Sequence, residues 1–109
     1  MSQFMYLYRG GEAGGTPEHM QQQMQKWLSW LQELTTKGHI RTGGDPLEPT
    51  GKVVRKKTQI TDGPYAEKDL VGGYTIIEAS DLNEAARLAS GCPHFDAGGF
   101  VEVRPIMKM

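Results

Sequence analysis

The chain has 109 residues, a formal net charge of -1 at pH 7 and a hydrophobic fraction of 38%. This length predicts one domain, residues 1–109, and the balanced charge excludes a general electrostatic attraction to nucleic acid or an anionic membrane. The single cysteine, Cys92, excludes an intrachain disulfide. The N-terminus resembles no signal peptide, and no apolar run reaches the roughly 20 residues of a membrane helix, so we expect a cytoplasmic protein.

The chain opens with a predicted strand and a long amphipathic helix. Residues 4–9 are aromatic and alternating, which is typical of a strand. Thr16 is a good N-cap, Pro17 suits the first helical position, and Gly38 ends the helix. The apolar side of this helix recurs at 3.6-residue spacing. It consists of Met20, Met24, Trp27, Leu28, Leu31 and Leu34.

The middle of the chain predicts two further strands. Residues 39–47 predict a short strand interrupted by glycine and proline. Residues 52–60 predict one continuous strand whose four basic side chains are typical of a guarded sheet edge. Residues 61–65 then predict a turn, because they contain the sequence Asp-Gly-Pro.

The last third predicts a strand, a helix and a strand. Residues 73–79 are a clear strand, and Asp81 with Glu84 forms a capping box at the start of the second helix. Gly91 ends that helix, and residues 100–106 are the final strand. Apart from the edge strand of residues 52–60, the order is β-α-β-β-α-β, which predicts an α+β ferredoxin-like fold with both helices on one face of an antiparallel sheet.

Alternation along the strands predicts a large apolar patch on the sheet face that the helices leave open. In the first strand, Met5 and Leu7 are assigned to the helix side, and the aromatic residues to the open face. The open face would then carry six side chains: Phe4, Tyr6, Tyr8, Tyr74, Ile76 and Phe100. Such a patch usually marks an interface, so we expect a homodimer. A one-residue error in strand register would turn the patch inward and remove this argument.

The second half of the chain also carries a distinctive series of motifs. They are DGPYAE at 62–67, GGY at 72–74, DLNEA at 81–85, CPH at 92–94 and VEVRPI at 101–106. In this combination the chain resembles the YCII-related superfamily, specifically its DGPF-motif branch, with Tyr65 in place of the final Phe. The resemblance covers nearly the whole chain and implies a dimeric α+β barrel built from two ferredoxin-like units.

The resemblance implies less about function. Some relatives are believed to act on small molecules, including a dehydrochlorinase of chlorinated aromatics, whereas DGPF-branch proteins are often associated with sigma factors. The better-studied branch has a proposed His–Asp pair. The matching positions in this chain hold Trp27 and Cys92, so that pair is absent and its chemistry does not carry over.

His94 is the first candidate for chemistry, because a neutral imidazole on a loop is suited to act as a general base near pH 7. The alternative is a loop histidine that only forms a structural hydrogen bond. Arg9 and Arg104 are candidates to bind a carboxylate or phenolate. Their alternative role is an ion pair with Glu102 or Glu78. Asp62 is a candidate to orient His94, although an Asp in this context usually caps its own turn.

Other residues are candidates to line a binding pocket. Glu67 is a loop carboxylate within the family motif, placed either to reach a pocket or to remain solvated. Tyr6, Tyr8 and Tyr74 suit an aromatic ligand or, alternatively, dimer packing. Cys92 follows a helix C-terminus, where the helix dipole opposes a thiolate, so we interpret it as a small buried residue. The His and Cys spacing matches no metal site, and we expect neither a metal nor another cofactor.

Three functions therefore remain open. The first is a small-molecule-binding protein or a cofactor-free enzyme of proton transfer or elimination, with His94 as base, Arg9 or Arg104 as anion clamp and Asp62 as orienting group. The second is a non-catalytic module that binds a partner protein such as a sigma factor. The third is a domain that serves only in assembly. The enzyme hypothesis predicts that His94 lies inside a pocket. The partner-binding hypothesis predicts that it lies on the outer surface.

Overall fold

The computed structural model describes residues 1–12, 14–65 and 68–109. Two α-helices, six strands and one 3₁₀ helix lie in these ranges. In chain order they are β1 (Ser2–Gly10), α1 (Pro17–Thr36), β2 (Ile40–Thr42), β3 (Gly51–Lys56), β4 (Gln59–Gly63), β5 (Val71–Ala79), α2 (Leu82–Ala89), the 3₁₀ helix (Pro93–Ala97) and β6 (Gly99–Pro105).

The main sheet has the strand order β2-β5-β1-β6, with every neighbouring pair antiparallel. Together with α1 and α2 these four strands form the β-α-β-β-α-β unit of a ferredoxin-like α+β fold, as the sequence predicts. No helix in the described part of the chain is long and apolar enough to cross a membrane.

The remaining two strands form a separate hairpin, and here the sequence prediction was wrong. Residues 52–60 are not one strand, because the chain reverses at Lys57 and Thr58 and pairs β3 with β4. Val54 lies opposite Ile60 across the hairpin. Residues 61–63, predicted as a turn, belong to β4.

Both helices begin as their capping residues predict. The Thr16 side chain accepts a hydrogen bond from the backbone N–H of His19 at 3.1 Å, and Pro17 follows as the first helical residue. At α2, Asp81 accepts from the backbone N–H of Glu84 at 2.8 Å, and the Glu84 carboxylate accepts from Ser80 at 2.8 Å. The Asp81 bond is the predicted N-cap, and the Glu84 bond is a variant of the predicted capping box, because it reaches the residue before the N-cap.

The core lies between the helices and the sheet, and it contains the aromatic side of β1. Phe4, Tyr6 and Tyr8 are 3%, 0% and 7% exposed, so the predicted orientation of β1 was wrong. The Tyr6 ring stacks on Trp30 with 6.1 Å between centroids, and its hydroxyl donates to the Ala85 carbonyl at 2.5 Å. These contacts explain the orientation, because both alternating sets of β1 are apolar but only the tyrosines bring a hydroxyl that finds a buried partner.

The other strands face as predicted. In β5 the residues Thr75, Ile77 and Ala79 are buried, and Val101 and Val103 of β6 pack against the same core.

The open face of the sheet therefore differs from the predicted one. Met5 and Leu7 of β1 replace the three aromatic rings, with Met5 opposite Ile76 and Leu7 opposite Tyr74. Phe100 remains on this face and is 41% exposed. The open face is still apolar at its centre, but it is built from smaller side chains than the sequence predicted.

Candidate functional site

A cleft of about 390 Å³ lies between α1 and the sheet. Its outer wall is the apolar side of α1, with Trp27 and Leu31 half-buried. Its floor includes Tyr8 from β1 and Thr75 from β5, and His94 also lines it. The volume and the mostly apolar lining are typical of a site for a small organic molecule.

His94 is held beside the cleft by the 3₁₀ helix that follows Cys92. Its Nε2 lies 2.9 Å from the backbone carbonyl oxygen of Arg9. A carbonyl oxygen only accepts hydrogen bonds, so Nε2 carries the proton and donates it. The ring centroid lies 6.1 Å from Tyr8 and 6.2 Å from Trp27, which places the imidazole against an aromatic surface.

Tyr8 and Thr75 are buried polar residues of the cleft floor. The Tyr8 hydroxyl donates to Thr75 Oγ1 at 2.7 Å, and the Thr75 hydroxyl donates to the Gly43 carbonyl at 2.9 Å. The ring meets Trp27 edge-on, with 4.8 Å between centroids. Burial raises the pKa of Tyr8 above its ordinary value, so its phenol stays neutral at physiological pH. Tyr8 is therefore an uncharged part of the cleft floor.

The cleft has little charge. Within the described residues no lysine or arginine lines it, and Asp45 is the acidic residue at its edge. A bound carboxylate would therefore meet no cation and one carboxylate. This arrangement favours an uncharged ligand over an anion.

The two predicted anion-binding arginines lie elsewhere. Both belong to the open face of the sheet, where Arg9 Nε is 2.7 Å and Arg104 Nη1 is 3.6 Å from the Glu102 carboxylate. The hydrogen bond from Arg9, followed by the charges of both arginines, lowers the pKa of Glu102. The ion pair that the sequence left as the alternative is thus the observed role, and neither guanidinium reaches the His94 cleft.

Asp62 does not orient His94, and it does not cap a turn. It lies in β4, where its carboxylate is 2.6 Å from Lys52 Nζ on the facing strand. Its side chain is 91% exposed, so this ion pair contributes little to stability. The prediction failed because the hairpin carries Asp62 outside the main sheet. Glu67, the other loop carboxylate predicted to bind substrate, lies outside the described residues.

Tyr74 lies at the edge of the cleft, where β5 passes Gly44. Its side chain follows the alternation of β5 towards the open face, so its part in the cleft is smaller than that of Tyr8.

Cys92 is a buried residue, as predicted. Burial raises the pKa of its thiol to about 11, and its sulfur accepts a hydrogen bond from the backbone N–H of His94 at 3.5 Å. The neutral thiol helps to begin the 3₁₀ helix and is a poor nucleophile at pH 7. No group of side chains in the described part of the chain could hold a metal ion.

Sequence reasoning missed Trp27, Thr75 and the glycines around the imidazole as parts of one site. Trp27 was noted because it occupies the position of the family histidine. Its contact with Tyr8 was missed because that contact depends on the orientation of β1, which was predicted wrongly. Thr75 gave a weak signal, since a threonine on the buried face of a strand needs a hydrogen-bond partner.

The fold and cleft define a ferredoxin-like α+β protein with a ligand-sized cavity between its first helix and its sheet. The sequence profile of the YCII-related domain matches residues 2–109, and the chain belongs to this family. Membership of the DGPF-motif branch stays a prediction.

Among solved structures, 5-chloro-2-hydroxyhydroquinone dehydrochlorinase (TftG) from Burkholderia phenoliruptrix AC1100, in complex with 2,5-dihydroxybenzoquinone, has the same fold. The alignment covers 98% of this chain and 95% of that chain, with a TM-score of 0.53 and 22% identity. None of the curated proteins matches the chain.

Proposed function

We propose that this protein binds a small, flat, uncharged aromatic compound in the cleft and catalyses a cofactor-free proton transfer or elimination with His94 as the general base. The observation that carries the proposal is an imidazole beside an apolar, ligand-sized cleft, with its Nε2–H engaged by the Arg9 carbonyl. The other ring nitrogen is then free to accept a proton. In an elimination, this base removes a proton, the electron pair left behind forms a new π bond, and the leaving group departs with the electrons of its own bond.

Two further observations support this function. His94 lines the cleft, where an enzyme needs it, whereas a partner-binding module predicts it on the outer surface. TftG, which shares the fold, is named as a dehydrochlorinase of a hydroxylated aromatic. The anion clamp expected from Arg9 and Arg104 forms no part of the proposal, because both side chains are paired with Glu102 on the other face of the sheet.

The binding half of the proposal is tested with matched ligands. Phenol and benzoate are similar in size but differ in charge, and their binding is measured by quenching of the fluorescence of Trp27 and Trp30. We expect phenol to bind more tightly than benzoate, because no positively charged side chain lines the described part of the cleft to pair with a carboxylate. Tighter binding of benzoate, or no binding of either compound, would refute the uncharged aromatic ligand.

The catalytic half is tested with His94→Gln and with His19→Gln as control, because His19 is exposed on α1 and outside the cleft. Chloride release from a set of chlorinated hydroquinones is the assay. Loss of a general base lowers turnover about 10²–10⁴-fold, and we expect this for His94→Gln alone, with ligand binding retained. Equal turnover in both variants would remove the proposed role of His94.

We also propose that the protein is a homodimer joined through the open face of the sheet. Met5, Leu7 and Ile76 form the centre of this face and are only half-buried in one subunit. A second copy packed by a two-fold axis would exclude water from them, at roughly 25 cal/mol per Å² of apolar surface.

A further inference from the structure

We infer that Gly99 and Gly11 form a slot that positions His94 in its Nε2–H tautomer, which makes Nδ1 the atom that takes the ligand's proton. The tautomer follows from the structure of the free protein. The assignment of Nδ1 as the base rests on the proposed function.

The slot is defined by how closely backbone approaches the imidazole on two sides. A Cβ atom at Gly99 would overlap Nε2 and Cδ2 of His94 and would lie 2.7 Å from Cε1. A Cβ atom at Gly11 would lie 2.8 Å from Cε1. Separations below 3.0 Å are essentially never seen for real Cβ atoms, so any side chain at Gly99 must displace the ring.

The hydrogen-bond acceptor of the slot is equally fixed. Arg9 belongs to β1, which pairs with β5 on one side and with β6 on the other. Arg9 is the penultimate residue of this inner strand, and its carbonyl accepts from Nε2 at 2.9 Å. A neutral imidazole has a single N–H, so donation from Nε2 leaves the lone pair on Nδ1.

No residue of the described chain forms a hydrogen bond with His94 Nδ1, whereas the other polar side chains of the cleft floor are engaged with one another. The ligand that fits this arrangement presents an acidic O–H or C–H hydrogen to Nδ1. A ligand with only acceptor atoms would leave the Nδ1 lone pair without a partner.

The test uses ¹⁵N NMR of histidine-labelled protein without ligand, at a pH where the His94 ring is neutral. The wild type should show the Nε2–H pattern for His94, and Gly99→Ala should lose it. Gly99 does not have a positive φ, so alanine fits its backbone and only the lack of space opposes the change. Gly51→Ala is the control, because a Cβ there meets only Pro64 at ordinary contact distances of 3.5–3.6 Å.

In the reaction, Gly99→Ala should lower kcat at least tenfold with little change in KM, and Gly51→Ala should change neither. A wild-type His94 in the Nδ1–H form, or a folded Gly99→Ala with an unchanged pattern, would overturn the inference. The wild-type measurement decides the tautomer even if Gly99→Ala does not fold. The wild-type NMR measurement needs no ligand, so the two claims are tested separately. An Nδ1–H tautomer would not refute ligand binding in the cleft, and a lack of ligand binding would not refute the Nε2–H tautomer.

Discussion

The orientation of β1 leads to a sharp comparison between two neighbouring residues. Tyr6 is fully buried, stacks on Trp30 and donates to the Ala85 carbonyl, whereas Leu7 is half-buried on the open face. Removal of a large buried aromatic side chain costs about 3–5 kcal/mol. Leu7→Ala in a monomer removes only part of a buried side chain, and we expect a loss of about 1–2 kcal/mol.

The assay is urea unfolding followed by tryptophan fluorescence. With an m-value of about 1.5 kcal/mol/M, Tyr6→Ala should lower the midpoint by about 2–3 M and Leu7→Ala by about 1 M. Tyr6→Phe keeps the ring and removes only the hydroxyl, so it should cost about 1 kcal/mol and still fold. The series is run at two protein concentrations, because a dimer would bury Leu7 and make its contribution concentration-dependent.

A larger loss for Leu7→Ala than for Tyr6→Ala at the lowest protein concentration would refute this reasoning. It would mean that the methionine and leucine side of β1 forms the core, as strand alternation alone predicted.

Two further perturbations test the buried thiol and the open face. Because folding raises the pKa of Cys92 from an ordinary value near 9 to about 11, its stabilising effect is complete below about pH 9 and is lost as the pH rises through 11. The urea midpoint should therefore fall less between pH 8 and pH 10.5 in Cys92→Ala than in wild type. An equal fall in the two proteins would contradict the raised pKa of Cys92. Ile76→Arg places a charge at the centre of the open face and should reduce the sedimenting mass from twice 12.1 kDa to 12.1 kDa. Ile60→Arg, on the exposed hairpin, should leave the mass unchanged, and a monomeric wild type would refute the dimer.

Much of the fold could be predicted from the sequence because characteristic capping residues mark where the helices begin. Thr16 with Pro17, and Asp81 with Glu84, satisfy the free backbone N–H groups at the helix starts, so these residue types locate the helices by themselves. The order of strands and helices then leaves few arrangements in which both helices cover one face.

Two features carried no such signal. In β1 both alternating sets are apolar, and the choice between them depends on Trp30 and Ala85, which are distant in sequence and meet the strand only in the fold. The hairpin turns at Lys57 and Thr58, without the Asn-Gly or Asp-Gly pair that usually marks a two-residue turn.

The candidate site was predicted in part for the same reasons. His94 could be found because its type and its loop position suggest a base. The groups that surround His94 could not be predicted. They are the backbone carbonyl of Arg9 and the space beside Gly99, and residue type does not indicate either of them. Asp62 was assigned to this site on residue type alone, and the hairpin that carries it was not recognised.

The hairpin has a consequence for how the molecule unfolds. β3 and β4 hydrogen-bond to each other as a two-stranded sheet and to no strand of the main sheet. A two-stranded hairpin is marginally stable in water without a packed face, so its amide protons should exchange with solvent through local opening. The amide protons of β1 and β5, the two inner strands of the main sheet, should exchange only when the whole domain opens. One small chain would then have two separate free energies of opening.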